Sequence, residues 1–203
     1  MTLKIAVLGS TRGTDLQAVI DAIKSGSLDA RISVVISNKA DAFILERAKN
    51  AGIPAKFVDG KGISHEEFDW KLLAELERHG PGLILLIGYM RFLSDFFVKK
   101  YRNGIMNIHP SLLPAFAGGM DKNVHKEVLD AGAKETGCTL HFVDETPDGG
   151  PIILQKKVVV SENETVDSLK EKVQLAEQEA IVEGVRLFAQ GRLKVEGKKV
   201  KIL

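Results

Sequence analysis

Strand-length apolar runs alternate with helically spaced apolar residues through the first half of the chain, and this rhythm limits the folds available to it. The runs are Lys4–Leu8, Ile32–Ile36, Lys56–Val58, Leu83–Ile87 and Ile105–Ile108. Between them, apolar residues recur three and four positions apart, first at Leu16, Val19, Ile20 and Ile23. Leu83–Ile87 is apolar at every position, as is typical of a parallel strand buried on both faces. The alternation predicts an α/β fold with a doubly wound, mostly parallel sheet, which binds ligands beyond the carboxyl ends of its strands.

The second half of the chain departs from this rhythm. Thr139–Val143 and Ile152–Val160 are rich in β-forming residues, and Asp148-Gly149-Gly150 supplies a turn between them. We therefore expect two antiparallel C-terminal strands. Apolar residues three and four positions apart then predict a long C-terminal helix over Thr165–Gln190, with one face against the sheet. The tail, Leu193–Leu203, is expected to form a small hairpin.

Composition narrows the class of protein. Lys and Arg total 28 against 27 Asp and Glu, and the net charge of +1 gives no electrostatic reason to expect a nucleic-acid or membrane partner. The single cysteine, Cys138, excludes an internal disulfide framework and is expected to be a small apolar side chain within a strand. The sequence shows no run of about 20 apolar residues and no signal peptide. The sequence therefore predicts a cytoplasmic protein. Because no repeat or linker divides the chain, it also predicts one domain over residues 1–203.

The loop after the first predicted strand, Gly9–Asp15, has the features of an anion site. Free N–H groups at a helix start, together with the helix dipole, attract anions, and glycine allows close approach to the backbone. Simple helix capping by Thr14 and Asp15 is the alternative. No lysine follows Gly13 as in a P-loop, and Ser37-Asn38-Lys39 stands where the ribose-binding acid of a dinucleotide fold would be. NTP hydrolysis and NAD binding are therefore disfavoured.

Asn107 and His109 form a second polar group at the end of a predicted strand. Residues i and i+2 of a strand share a face, so these side chains converge, and Pro110 ends the strand after them. An amide beside an imidazole suits a developing oxyanion and proton transfer, whereas a buried polar pair bonded to loop backbone is the other interpretation. Asp148 is either a turn residue or a carboxylate that its loop brings to His109. No metal-ligand spacing is present, so no metal is predicted, and His141, within a strand, is expected to be a core residue.

Four segments together resemble one family. They are Gly13–Gln17, Gly88–Ser94, Asn107–Pro114 and Asp148–Gln155. The chain is similar over nearly its whole length to the phosphoribosylglycinamide formyltransferases, folate-dependent enzymes of purine synthesis. The Asn-x-His-Pro-Ser-Leu-Leu-Pro segment is shared with other formyltransferases, and the loop at Gly13, the length and the stretch around Glu177 point to the glycinamide enzyme. The resemblance implies a Rossmann-like formyltransferase fold.

The resemblance also implies substrates and residue roles. The formyl group of the co-substrate N10-formyltetrahydrofolate would pass directly to the amine of glycinamide ribonucleotide, without a metal and in a monomer or homodimer. The positions that match the family's catalytic residues are Asn107, His109 and Asp148. Those that match its phosphate and ribose contacts are Gly13, Thr14, Asp15 and Glu177. Those that match its folate contacts are Met90, Arg91, Phe92, Leu93, Val98 and Asp144, with the Asp144–Asp148 loop over the pterin.

Three places depart from the family pattern. Asp15 replaces an asparagine, and a carboxylate beside a phosphate is unfavourable if it points inward, whereas the backbone N–H contacts survive if it points out. Arg12 is the candidate to offset its charge. His65 stands where a basic side chain is expected near the glutamate tail of folate. The loop 115–125 is longer than in the bacterial type, so its contacts do not carry over, except loosely that of His125.

Two other functions fit part of this pattern. A formyl-folate hydrolase would carry an additional N-terminal domain, and a methionyl-tRNA formyltransferase an additional basic C-terminal barrel. Neither addition is expected in 203 residues of net charge +1. A further hypothesis, of a different class, is a catalytically silent nucleotide- or folate-binding module. The joint presence of Asn107, His109 and Asp148 weighs against this hypothesis.

Overall fold

The computed structural model describes residues 2–118 and 123–203. Its helices are α1 (Thr14–Lys24), α2 (Phe43–Asn50), α3 (His65–His79), α4 (Asp95–Lys100), α5 (Val124–Asp130) and α6 (Val166–Ala189). Its strands are β1 (Leu3–Gly9), β2 (Ala30–Ser37), β3 (Ala55–Phe57), β4 (Leu83–Ile87), β5 (Ile105–His109), β6 (Glu135–Phe142), β7 (Ile152–Val159), β8 (Leu193–Glu196) and β9 (Lys199–Ile202). Across these residues the nine strands form one sheet, in the order β3-β2-β1-β4-β5-β6-β7-β9-β8.

The sheet is parallel in its first half and mixed in its second. Strands β3, β2, β1, β4 and β5 run parallel, whereas β6 pairs antiparallel with both β5 and β7. The prediction of a doubly wound, mostly parallel sheet with antiparallel C-terminal strands and a long C-terminal helix is confirmed. The chain moves outward from β1 to β3 and resumes with β4 on the other side of β1. Sheets of this type bind ligands at such a reversal of strand order.

Helices cover both faces of the parallel strands, which explains why Leu83–Ile87 is apolar throughout. One face carries α1, α2, α5 and α6, with buried residues such as Leu16, Ile44, Val128 and Val173. The other carries α3 and α4, with buried residues such as Phe68, Leu72, Leu76 and Phe97. None of the helices in the described part of the chain is long and apolar enough to cross a membrane.

The C-terminal hairpin is more closely tied to the sheet than the sequence indicated. Strands β8 and β9 pair antiparallel, as predicted, and Lys199 of β9 also pairs with Ile152 of β7. The hairpin turn therefore lies beside the loop that joins β6 to β7. Helix α5 was given no bounds from the sequence, because in its seven residues Val124 and Val128 supply only one repeat of the helical spacing.

Candidate functional site

Ser10 links three carboxyl strand ends at the point where the strand order reverses. Its hydroxyl donates to Asn38 Oδ1, after β2, at 2.6 Å and accepts from the backbone N–H of Met90, after β4, at 2.8 Å. The backbone N–H of Ser10, after β1, donates to Gly88 O at 3.0 Å. The Gly9–Asp15 loop and the segment after β4 are therefore held side by side, as expected for a ligand site at the switch point.

Asn107 and His109 share one face of β5, as their spacing predicted, and β6 adds a third polar residue. The antiparallel register sets His141 directly opposite Asn107. His141 Nδ1 lies 2.9 Å from Phe142 O, and because a carbonyl only accepts, Nδ1 carries the hydrogen. Burial lowers the pKa of His141, so the ring is neutral at pH 7 and its Nε2 accepts from Asn107 Nδ2 at 3.1 Å. His141 thus fixes the orientation of the Asn107 amide.

The imidazole of His109 lies between a backbone carbonyl and a carboxylate. Its Nε2 donates to Phe116 O at 3.1 Å, and its Nδ1 lies 3.6 Å from Asp148 Oδ2. Asp148 Oδ2 also accepts from the backbone N–H of Gly118 at 3.0 Å, and its Oδ1 lies 3.8 Å from His141 Nε2. A carboxylate therefore lies within ion-pair distance of His109 Nδ1.

The loop that carries Asp148 is held from two sides. Asp148 itself has a φ of 52°, a left-handed conformation that Asp tolerates better than most residues. At the start of the loop, Asp144 accepts from the backbone N–H of Thr146 at 2.9 Å and forms an ion pair with Lys198 in the turn of the C-terminal hairpin. Lys198 also donates to Gly149 O at 3.1 Å.

The other anchor of this loop comes from the turn after α4, where Arg102 pairs with Glu145 at 2.7 Å. A cavity of about 500 Å³ lies behind the loop, between Val98, Arg102 and Lys198. The loop is thus bordered by open space on both sides, and its position depends on these side-chain contacts.

A cleft of about 350 Å³ opens in front of this loop and brings two predicted groups of residues together. Its lining includes Asn107, His109, His141, Asp148, Met90, Arg91, Phe92, Leu93, Val98 and Asp144. All three predicted catalytic residues and all six predicted folate-contact residues therefore border one space. Its volume is in the range of small-molecule pockets, and its walls combine apolar side chains with a few convergent polar groups.

The residues predicted to contact phosphate and ribose do not line this cleft and form a neighbouring group. Gly13 precedes α1 with a φ of 67°, and a Cβ there would lie 2.5 Å from Ile44 Cγ1, so both conformation and space favour glycine. Helix geometry leaves the first N–H groups of α1, beginning with Thr14, without partners inside the helix. Asp15 and Glu177 of α6 are both buried beside this helix start.

Asp15 points inward, which is the arrangement that we expected to be unfavourable. Burial raises its pKa to about 7. Burial and the neighbouring charge of Asp15 raise the pKa of Glu177 well above its ordinary value. Arg12 does not offset the Asp15 carboxylate by an ion pair in the described part of the chain, and its side chain is exposed.

The two other departures have different outcomes. His65, the first residue of α3, donates from Nε2 to Phe92 O at 2.8 Å, so it supports the 90–93 segment from outside the cleft. Of the loop 115–125, residues 119–122 lie outside the described residues. His125 belongs to α5, is partly buried, and its Nδ1 has no hydrogen-bond partner among the described residues.

His141 is the site residue that sequence reasoning missed. It lies in the apolar run Leu140-His141-Phe142 and was interpreted as a core residue. It is indeed buried, with 2% of its surface exposed, yet it bonds to Asn107 and faces Asp148. Only the β5–β6 register reveals this. No group of three or more His, Cys, Asp or Glu residues within 2–118 and 123–203 is arranged to hold a metal ion.

Comparisons with a family model and with known proteins indicate the same enzyme family. Residues 3–185 match the family model described as formyl transferase. The chain is 41% identical over 194 residues to phosphoribosylglycinamide formyltransferase of Escherichia coli, covering 95% of this chain and 90% of that protein. It is 46% identical over 194 residues to the trifunctional purine biosynthetic protein adenosine-3 of Gallus gallus, covering 95% of this chain. The chain spans only 19% of the length of that trifunctional relative.

Solved structures of two related enzymes share this fold. The fold matches glycinamide ribonucleotide transformylase 1 of Symbiobacterium toebii with a TM-score of 0.95 and 43% identity, over 100% of this chain and 94% of that one. A formyltetrahydrofolate deformylase of Pseudomonas syringae matches with a TM-score of 0.92 and 25% identity, over 100% of this chain and 66% of that one. The chain therefore belongs to the formyl transferase family and, within it, to the phosphoribosylglycinamide formyltransferases.

Proposed function

We propose that this protein transfers the formyl group of N10-formyltetrahydrofolate to the amine of glycinamide ribonucleotide. The observation that carries the proposal is the single cleft that holds Asn107, His109 and Asp148 opposite the 90–93 segment. A polar constellation for acyl transfer thus borders a space with apolar walls suited to a flat aromatic co-substrate. The relatives named for this reaction share the whole described fold.

The three polar residues support a direct transfer. The amine nitrogen attacks the formyl carbon, a new C–N bond forms, and the carbonyl electron pair moves to oxygen. Asn107 Nδ2, which uses one hydrogen on His141, has a second hydrogen to donate to this oxyanion, and the positive charge of protonated His109 stabilises the oxyanion as well. When the C–N10 bond breaks, the amine loses one proton and N10 gains one. His109, which lies beside the Asp148 carboxylate, carries that proton.

Binding of the two substrates divides between the cleft and the start of α1. Met90, Phe92, Leu93 and Val98 offer apolar contact to the folate, and Arg91 and Asp144 are charged residues of the same lining. At the start of α1, the N–H groups at Gly13, Thr14 and Asp15 would hold the nucleotide phosphate, and Glu177 the ribose. No step of this mechanism uses a metal. A single domain over residues 1–203, a monomeric or homodimeric state and a cytoplasmic location remain predictions.

A formyl-folate hydrolase is the second candidate, favoured by the structural match to a deformylase. In that reaction water replaces the amine, and formate and tetrahydrofolate are the products. The two functions separate in one assay in which tetrahydrofolate formation from formyl-folate is followed with and without glycinamide ribonucleotide. Product that requires the acceptor supports the transferase, and product without it supports the hydrolase. No product in either reaction supports a silent binding module and overturns the proposal.

A further inference from the structure

Two carboxyl groups are buried together beside the start of α1. Asp15 comes from α1 and Glu177 from α6, with 6% and 8% of their surfaces exposed. Neither forms an ion pair with another described residue, and Asp15 Oδ1 has no hydrogen-bond partner among them. A buried carboxylate without a partner is costly, so such a group tends to hold its proton. Both carboxyl groups are therefore expected to hold a proton at a higher pH than exposed carboxyl groups do.

The surroundings of the pair supply little positive charge. From β6 the pair is faced by Cys138, whose thiol has a raised pKa owing to burial and to the two carboxyl groups. On α6, the exposed Lys170 weakly favours the ionised form of Glu177. On α2, Arg47 is occupied with Arg12 O at 2.7 Å and with Gln17 Oε1 at 3.2 Å. On α5, partly buried His125 has a lowered pKa and so adds no positive charge at neutral pH.

The protonation state of Asp15 decides whether an anion is accepted there. An ionised carboxylate repels a phosphate, whereas a neutral carboxyl group has an O–H that donates to it. A protonated Asp15 is thus equivalent, as a donor, to the asparagine amide expected at this position. The N–H groups at the start of α1 provide the rest of an anion site.

We infer that Asp15 and Glu177 are both protonated when a ribose phosphate binds at the start of α1, so that Asp15 donates a hydrogen bond to the ligand and binding takes up a proton. The inference rests on the nucleotide site of the proposed function and deepens it. The pKa of free Asp15, about 7, sets the pH range of the effect. As pH rises through that value, the free protein loses the proton that the complex keeps. The dissociation constant should therefore rise about fifteenfold between pH 7 and about pH 8.5.

The test is calorimetric titration of the protein with ribose 5-phosphate at about pH 8. The measurement is repeated in buffers of different ionisation enthalpy, which gives the number of protons taken up. The phosphate group is already a dianion there, since its second pKa is about 6. We expect uptake close to one proton for the unmodified protein. Asp15→Asn, which keeps a donor but does not titrate, should show uptake near zero and a dissociation constant that changes less than about twofold over the same pH range.

The matched control is Asp21→Asn, which neutralises an exposed carboxylate on the same helix and should behave as the unmodified protein. Uptake near zero in the unmodified protein overturns the inference whether or not the variants fold. Equal uptake in Asp15→Asn and the unmodified protein also overturns it, as does the absence of binding between pH 6 and about pH 8.5. Failure of the proposed function has a different signature, which is the absence of formyl transfer to glycinamide ribonucleotide while proton-linked phosphate binding persists.

Discussion

Replacing His141 with Phe tests whether the catalytic amide is oriented by its neighbour in β6. The change keeps a planar ring in a site where 2% of the residue is exposed, but it removes the acceptor that lies 3.1 Å from Asn107 Nδ2. A net hydrogen bond of about 1 kcal/mol then no longer favours the correct amide orientation. Since 1.36 kcal/mol corresponds to a factor of ten in rate, kcat should fall about fivefold to tenfold. KM for formyl-folate should change little, because the apolar walls of the cleft are intact.

His141→Gln is the matched variant, since its side chain offers both an acceptor for Asn107 and a donor for Phe142 O. We expect it to recover part of the loss in kcat. Steady-state kinetics for both substrates, with circular dichroism to verify folding, provide the measurement. A folded His141→Phe protein with kcat within about twofold of the unmodified enzyme would refute the orientation argument. An equal loss in both variants would show that ring packing, and not the acceptor, is what matters.

Three further outcomes follow from the site. His109→Ala should reduce turnover at least about a hundredfold, the scale of general acid–base loss, as measured by tetrahydrofolate formation; near-normal turnover would remove His109 from the mechanism. Lys198→Ala, which removes the ion pair with Asp144, should raise KM for formyl-folate about threefold and reduce its salt dependence, whereas Lys201→Ala on the same hairpin should not; equal KM values would exclude a role for Lys198. Because burial lowers the folded-state pKa of His141, the unfolded chain binds more protons below about pH 6.5, so stability should fall as pH drops through that range. Denaturant unfolding at a series of pH values should show a smaller acid loss in His141→Gln; an unchanged slope would assign the acid sensitivity to other groups.

The local pattern of apolar residues was sufficient to predict most of the strands and helices and part of the lining of the cleft. The period of the apolar residues identified β1 to β5 and α6, because side-chain direction repeats every two residues in a strand and every 3.6 in a helix. The same rule placed Asn107 and His109 on one face, and Pro110 marked the end of their strand. The resemblance to the family supplied the residues after β4, which the structure brings to the same cleft.

Contacts between residues far apart in the chain determined the roles of His141 and Asp148, which the local pattern could not predict. His141 reads as a core residue until the β5–β6 register sets it opposite Asn107. Asp148 reads as a turn residue until its loop, held by Lys198 and Arg102, carries it to His109. These contacts join residues far apart in the chain, and many registers satisfy the same apolar pattern.

The sequence by itself determined the order and kind of the secondary elements, apart from α5, and the direction of side chains within each of them. Local backbone geometry sets the kind of element and the direction of each side chain. Only the tertiary structure decided that Asp15 points inward beside Glu177 and that His141 supports Asn107. The protonation of a carboxyl group and the tautomer of an imidazole depend on solvent exclusion and on nearby charges. Those are properties of the packed molecule, because burial arises only when separate elements close around the group.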